Sequence, residues 1–195
     1  MDGVVARDIS QVIGRFSQVC LDGTPTQART PRYLMLNKPE GVVSATRDQR
    51  HRTVIDLLDR PWKEQLHIAG RLDFNSTGLV LLSNDGQWSR RLSLPENRLI
   101  KRYLVSTEQA ITQDHVAAFQ RGMRFEYEGI TTRPVELTIL SERVAELALF
   151  EGRYHQIKRM FGRFGNKVLS IHRFAVGDYE LGDLRSGAYR DIAPG

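Results

Sequence analysis

Apolar positions in this chain of 195 residues fall into short runs punctuated by Gly, Pro, Asn and Asp. Residues 33–36, Tyr-Leu-Met-Leu, form a continuous apolar run stopped by Asn37-Lys38-Pro39-Glu40-Gly41, which predicts a buried strand. Residues 66–69 and 79–82 repeat that pattern on either side of a polar loop, Gly70-Arg71-Leu72-Asp73-Phe74-Asn75-Ser76-Thr77-Gly78. Thr53 is placed to cap a short helix carrying Val54, Leu57 and Leu58. Trp88 and Leu92 share one face of a second helix, and residues 112–120 form a third that Gly122 ends. Strands are predicted at 101–106, 123–127, 133–140 and 144–150, the last two joined through Ser141-Glu142-Arg143 as an antiparallel hairpin. Ile157, Met160, Phe161 and Phe164 recur at helical spacing, so one face packs while His155, Lys158, Arg159 and Arg163 take the other. A strand at 168–171 follows. Strands and helices without strict alternation predict an α+β domain with a mixed, mostly antiparallel sheet.

Residues 1–31 differ from the rest. Ile9, Val12, Ile13 and Phe16 allow one short helix, and residues 22–31 have the composition of a linker, so the domain is expected over 32–195. Charge adds a second layer: 28 Lys and Arg against 23 Asp and Glu give a net charge of +5. The excess is clustered. Arg153, Lys158, Arg159, Arg163, Lys167 and Arg173 share a stretch with one acid, Glu151, and Arg90, Arg91, Arg98, Lys101 and Arg102 share another with Glu96. Two such segments in a small domain predict a basic cleft for a polyanion such as nucleic acid. The lone Cys20 cannot form an internal disulfide, the N-terminal residues lack a signal-peptide pattern, and no apolar run is long enough to span a bilayer. These features predict a cytoplasmic protein that makes no use of a membrane.

The polar loop at 70–78 carries an aspartate beside an arginine between two strands, where chemistry is commonly placed. The same residue types also make ordinary turns. The five histidines have no metal-ligand spacing, there is no CxxC, and neither a dinucleotide fingerprint nor a Walker loop is present. Asp85, the nearest second acid, reads as part of an Asn84-Asp85-Gly86 turn, which argues against a glycosidase-like carboxylate pair. Asp73 as a lone nucleophile requires a cation beside it, for which Arg71, Lys101 and Lys158 are candidates that the sequence does not rank.

Four ordered stretches carry a resemblance. His67-Ile68-Ala69-Gly70-Arg71-Leu72-Asp73, with Ser76 and residues 78–86, resembles the signature motif of the bacterial ribosomal RNA pseudouridine synthases of the RsuA type. Residues 36–41 precede it, Lys101-Arg102-Tyr103 follow it, and residues 151–161 complete the set. The resemblance runs from about Pro31 to the C-terminus. It implies a cofactor-free isomerase, using no metal, that breaks the N-glycosidic bond of a selected uridine and rejoins the ribose to C5. It implies that Asp73 is the essential aspartate, that Tyr103 stacks on the uracil and assists loss of the C5 proton, and that Lys158 pairs with Asp73. Arg71 would enter the helix stack vacated by a flipped base, with Leu72, Arg153, His155, Gln156 and Arg159 as further substrate contacts. Lys38, Arg90, Arg91 and Arg163 would contact the RNA backbone. The expected partner is 16S or 23S ribosomal RNA, naked or in an assembly intermediate, met by a monomer.

Most relatives of this type begin with a small S4-type RNA-binding domain, and residues 1–31 are too few to contain it, which is expected either of a member that lacks the domain or of a truncated form. The competing readings are a non-catalytic RNA-binding module in ribosome assembly and a glycoside-cleaving enzyme acting on free nucleosides. The combination of Asp73, Tyr103 and Lys158 argues against the first, and the extent of basic surface against the second.

Overall fold

The computed structural model describes residues 1–8 and 10–195, with side chains described at all of these except positions 95 and 127. Contacts divide them into two compact units, Met1–Arg32 and Tyr33–Gly195. The first contains a hairpin of β1 (Val19–Leu21) and β2 (Thr24–Gln27). The Gln27 amide donates to the carbonyls of Gly14 and Ser17 at 2.8 and 3.0 Å. The short helix expected here is absent among the described residues, and Ile9, one of its four apolar positions, lies outside them. Val12 and Ile13 are exposed. An apolar stripe without a surface to bury it against does not hold a helix together.

The second unit is built on one sheet. Its elements are β3 (Tyr33–Lys38), β4 (His67–Ala69), β5 (Thr77–Ser83), α1 (Gly86–Ser93), β6 (Lys101–Thr107) and α2 (Gln113–Arg121). They continue with β7 (Arg124–Phe125), β8 (Ile130–Thr131), β9 (Glu136–Ser141), β10 (Val144–Leu149) and α3 (Gln156–Gly162). The chain ends with β11 (Val168–Val176), β12 (Tyr179–Glu180) and β13 (Tyr189–Asp191). The strand order is β13-β3-β5-β11-β6-β10-β9, with β4 also paired to β5 and β12 to β11. Among the described residues only β5 and β11 run parallel, so the sheet is mixed and largely antiparallel as the sequence predicts.

Both faces of the sheet are covered, which explains why β3 and β5 read as unbroken apolar runs. Leu34, Leu36, Val80 and Leu82 join Val105 and Leu147 on one face, packed with Phe119 of α2 and Met160 and Phe161 of α3. Met35, Leu79 and Leu81 alternate onto the other face, against Trp88 and Leu92 of α1. α1 is capped by Asp85, whose carboxylate accepts from the amides of Gln87 and Trp88 at 2.9 and 3.2 Å.

Two predicted elements are corrected. At 53–58 the chain makes turns instead of a helix: the Asp56 carboxylate accepts from both the amide and the hydroxyl of Thr53 at 2.8 and 2.9 Å. The backbone bonds there span three residues, which closes single turns without starting an α-helical ladder. The strand expected at 123–127 shortens to β7, because a 3₁₀ turn over Glu126–Glu128 intervenes before β8.

β5 enters the sheet at Gly78, opposite Arg173 of β11. Its φ is +109°, and a Cβ there would lie 2.2 Å from the Arg173 carbonyl oxygen. Gly78→Ala is therefore expected to destabilise the fold by about 3 kcal/mol or more. Gly129, at φ +63° with open space around it, is the control. Gly129→Ala should cost only about 1 kcal/mol. Denaturant unfolding of both variants checks this, and equal costs would contradict the close approach.

Candidate active site

The loop between β4 and β5 is short, and its backbone is held from three directions. Arg173 is buried, and its guanidinium donates to the carbonyls of Leu79 at 2.6 and 2.9 Å, Gly70 at 2.7 Å and Arg71 at 3.4 Å. The Ser44 hydroxyl donates to the Leu72 carbonyl at 2.8 Å and accepts from the Leu72 amide at 3.0 Å. Lys38 is fully buried, and its ammonium donates to the carbonyls of Pro39 at 2.9 Å and Phe74 at 3.2 Å. Burial pushes the Lys38 pKa down to about 8, against the opposing pull of Asp73 and Glu40. Leu72 points into the core. With residues 70–72 and 74 pinned through their backbones, the Asp73 carboxylate is left facing outward, about one-third exposed.

Its partners come from α3 and the loop before it. Lys158 Nζ lies 3.7 Å and His155 Nε2 3.4 Å from Asp73 Oδ2. That loop is organised by Glu151, a buried carboxylate. One Glu151 oxygen accepts from the Arg133 amide at 2.9 Å and the Gln156 side chain at 2.8 Å, and the other from Arg153 Nε at 3.0 Å. Gln156 in turn accepts from the Arg153 amide at 3.1 Å. His155 then takes a left-handed conformation, φ +49°, at the residue before α3. The apolar side of α3 is buried in the sheet, so Lys158 is presented by a rigid element.

Asp73, Glu151, Arg153, His155 and Gln156 line a cleft of about 580 Å³ that also takes in Gly70, Arg71, Lys101, Tyr103, Ile171 and Arg173. Tyr103 is buried, and its hydroxyl has no hydrogen-bond partner among the described residues. Phe74 and Tyr154 add exposed aromatic surface, with Tyr154 stacked on the His155 ring at 3.9 Å. A carboxylate held between an ammonium and an imidazole, beside a phenol in a cleft of this size, can act as a nucleophile toward a neutral ring substrate.

Of the predicted trio, Asp73 and Tyr103 line one cleft with Arg71, Arg153 and His155, and Lys158 lies 3.7 Å from the Asp73 carboxylate. Of the candidate cations for Asp73, Lys158 lies within ion-pair distance, and Arg71 and Lys101 do not. The expectations for Lys38 and Arg159 are corrected. Lys38 is buried and spent on the loop, so it does not reach an RNA backbone. Gln156 lines the cleft but commits both ends of its amide to Glu151 and Arg153, and Leu72 lines the cleft at the edge of the core it packs into. Arg159 makes a two-pronged ion pair with Glu128 and lies 3.8 Å over the Phe125 ring, away from the cleft. Arg163 is exposed and donates to the Arg124 carbonyl. Arg90 and Arg91 sit on α1, across the sheet from α3, and Arg91 donates to the Gly195 carbonyl. The second basic segment is therefore divided: Arg90 and Arg91 lie on α1, while Lys101 joins Arg153 and Arg173 of the first segment at the cleft.

Ser44, Glu151 and Arg173 have supporting roles that the motif reading missed. Only Arg173 left a signal: it alternates with Ile171 and Ala175 on an inward-facing strand row, where a charge is unexpected.

The Lys38 shift makes a pH prediction. Between about pH 8 and the ordinary lysine value of 10.5, the unfolded chain holds a proton that the folded one has released. Stability should therefore rise with pH across that window. Lys101, also lowered by burial and by Arg173, adds to the same rise. Lys38→Met should flatten the rise in chemical-denaturation stability without abolishing it. An unchanged slope would contradict the burial of the charge.

The sequence profile of the RNA pseudouridylate synthase family matches residues 32–162. A Pseudomonas aeruginosa protein named ribosomal small subunit pseudouridine synthase A is 52% identical over 194 residues, covering 98% of this chain and 84% of that one. The Escherichia coli K12 protein of the same name is 41% identical with the same coverage. A crystal structure of a pseudouridylate synthase superposes with a TM-score of 0.81 at 37% identity, over 98% of this chain and 84% of that one. Among the described residues no helix is long and apolar enough to cross a membrane. With the profile spanning the Asp73 loop, Tyr103 and Lys158 together, this chain belongs to the RNA pseudouridylate synthase family.

Proposed function

We propose that this chain converts a uridine of small-subunit ribosomal RNA to pseudouridine, with Asp73 as the nucleophile. The observation that carries the reading is the Asp73 carboxylate at 3.7 Å from Lys158 and 3.4 Å from His155, in a cleft that also holds Tyr103. The relatives named for small-subunit modification support the choice of RNA. Asp73 bonds to C1′ as the C1′–N1 bond breaks, whose electron pair leaves with the uracil; C5 then bonds to C1′ as the Asp73–C1′ bond breaks and frees the carboxylate. C5 then loses a proton and N1 gains one. No atom is added and there is no net oxidation or reduction, so side-chain chemistry suffices and no cofactor is needed.

In this reading Lys158 and His155 orient the carboxylate, and the Lys158 ammonium balances its charge. Tyr103 stacks on the ring and assists proton loss from C5. Arg71, exposed on the loop next to Asp73, fills the gap left by the extruded base. Extrusion costs a few kcal/mol, which inserted side chains and backbone contacts offset. Arg153 and the exposed arginines 90, 91 and 163 contact phosphates and position the RNA without reading its sequence. The protein works in the cytoplasm as a monomer, on naked RNA or an assembly intermediate.

Two measurements test the reading. Incubation with unmodified small-subunit RNA followed by chemical mapping should show pseudouridine, and Asp73→Asn should lower the rate by roughly 10⁴-fold while remaining folded. No product with the native chain, or equal rates for the two, would overturn it. Binding of the same RNA should weaken roughly 50-fold between 50 and 200 mM salt if about four phosphates are contacted. A flat salt dependence would show that these arginines do not bind the backbone.

A further inference from the structure

Two lysines are buried near the Asp73 loop, and they differ in one respect. Lys38 donates to two carbonyls. Lys101 is 9% exposed and lines the cleft, and its ammonium has no hydrogen bond or ion pair with any described residue. It begins β6 two residues before Tyr103, so period-two alternation puts both on the same side of the strand. The neighbouring guanidinium of Arg173 spends its donors on backbone carbonyls. Burial, and then that guanidinium, lower the Lys101 pKa, so the fold does nothing to stabilise a charge at this place. A desolvated ammonium without an acceptor is costly to keep. Its retention in the cleft calls for an acceptor that arrives with the ligand.

The chemistry of the ligand identifies that acceptor. A phosphodiester carries a full charge and keeps its water at the rim, whereas the target uracil must enter beside Tyr103, Leu149 and Ile171. Building on the proposed isomerisation, we infer that Lys101 is a further catalytic residue whose ammonium hydrogen-bonds a carbonyl oxygen of the target uracil and stabilises its departure from C1′. When the C1′–N1 pair leaves with N1, the negative charge spreads to O2 and O4. Lys101 holds one of these oxygens without giving up its proton. The charge is consumed when the ring donates a pair from C5 to C1′, after which C5 loses a proton and N1 takes one. A fixed donor aimed at developing charge in a water-poor site is an efficient way to lower such a barrier.

The test compares Lys101→Met and Lys101→Gln with the native chain at saturating enzyme on unmodified small-subunit RNA. Both variants should lose about 10²-fold to 10³-fold in the single-turnover rate constant, with RNA affinity kept within about threefold. A second substrate separates chemistry from structure. RNA with 5-fluorouridine at the target position carries a ring that stabilises its own anion, so the deficit in C1′–N1 cleavage should shrink to about tenfold or less. An unchanged rate constant, a loss confined to RNA affinity, or the same deficit on both substrates would each overturn the inference. The second of these would mean a phosphate contact, and the third a structural lysine. A native chain that makes no pseudouridine would instead be a failure of the proposed function itself.

Discussion

A buried arginine with no carboxylate partner ties the Asp73 loop to the sheet. Arg173 lies on β11 where that strand meets β5 in parallel, and the pairing is close enough that only a glycine fits at position 78. From there the guanidinium reaches back to the carbonyls at both ends of the loop, Gly70 and Leu79. Hydrogen bonds from a charged donor contribute about 1.5–3 kcal/mol each, against a desolvation cost of several kcal/mol for the buried ion. The clamp therefore adds little to net stability; its effect is to leave the loop one conformation. Ser44 and Lys38 fix the intervening backbone in the same way, through main-chain atoms.

Pinning the loop through its backbone leaves the Asp73 side chain available to the cleft. The opposing wall is built by similar means. Glu151 gathers an amide, a glutamine and an arginine, which turns the chain so that His155 and Lys158 face the carboxylate. Each half is anchored to the same sheet, with α3 on one face and α1 closing the other. The geometry of the carboxylate with Lys158 and His155 is thus set before any substrate arrives, which lowers the reorganisation needed at the moment of reaction.

The sheet and its helices were legible because apolar periodicity reports burial: β3 and β5 read as two-sided strands, and the Ile157–Phe164 stripe as a packed helix face. The Asp73, Tyr103 and Lys158 set was legible because its motifs keep their order along the chain. What did not show was the third dimension of charge. Lys38 and Arg173 look like surface cations in a one-dimensional count, yet both are buried and face carbonyls. Arg90 and Arg91 look like neighbours of the α3 cluster but lie across the sheet from it, because β5 leads directly into α1 on the opposite face. The helices expected near Val12 and Val54 failed for local reasons, one lacking a surface to pack on and the other closed early by the Thr53–Asp56 bonds.

The central claim is that Asp73, so held, rearranges a uridine within ribosomal RNA. Its most direct measurement is release of tritium from small-subunit ribosomal RNA labelled at C5 of uridine, since C5 must give up its hydrogen when it joins C1′. The account predicts release amounting to a single site per RNA molecule. Absence of release, under conditions where the RNA is bound, would contradict it.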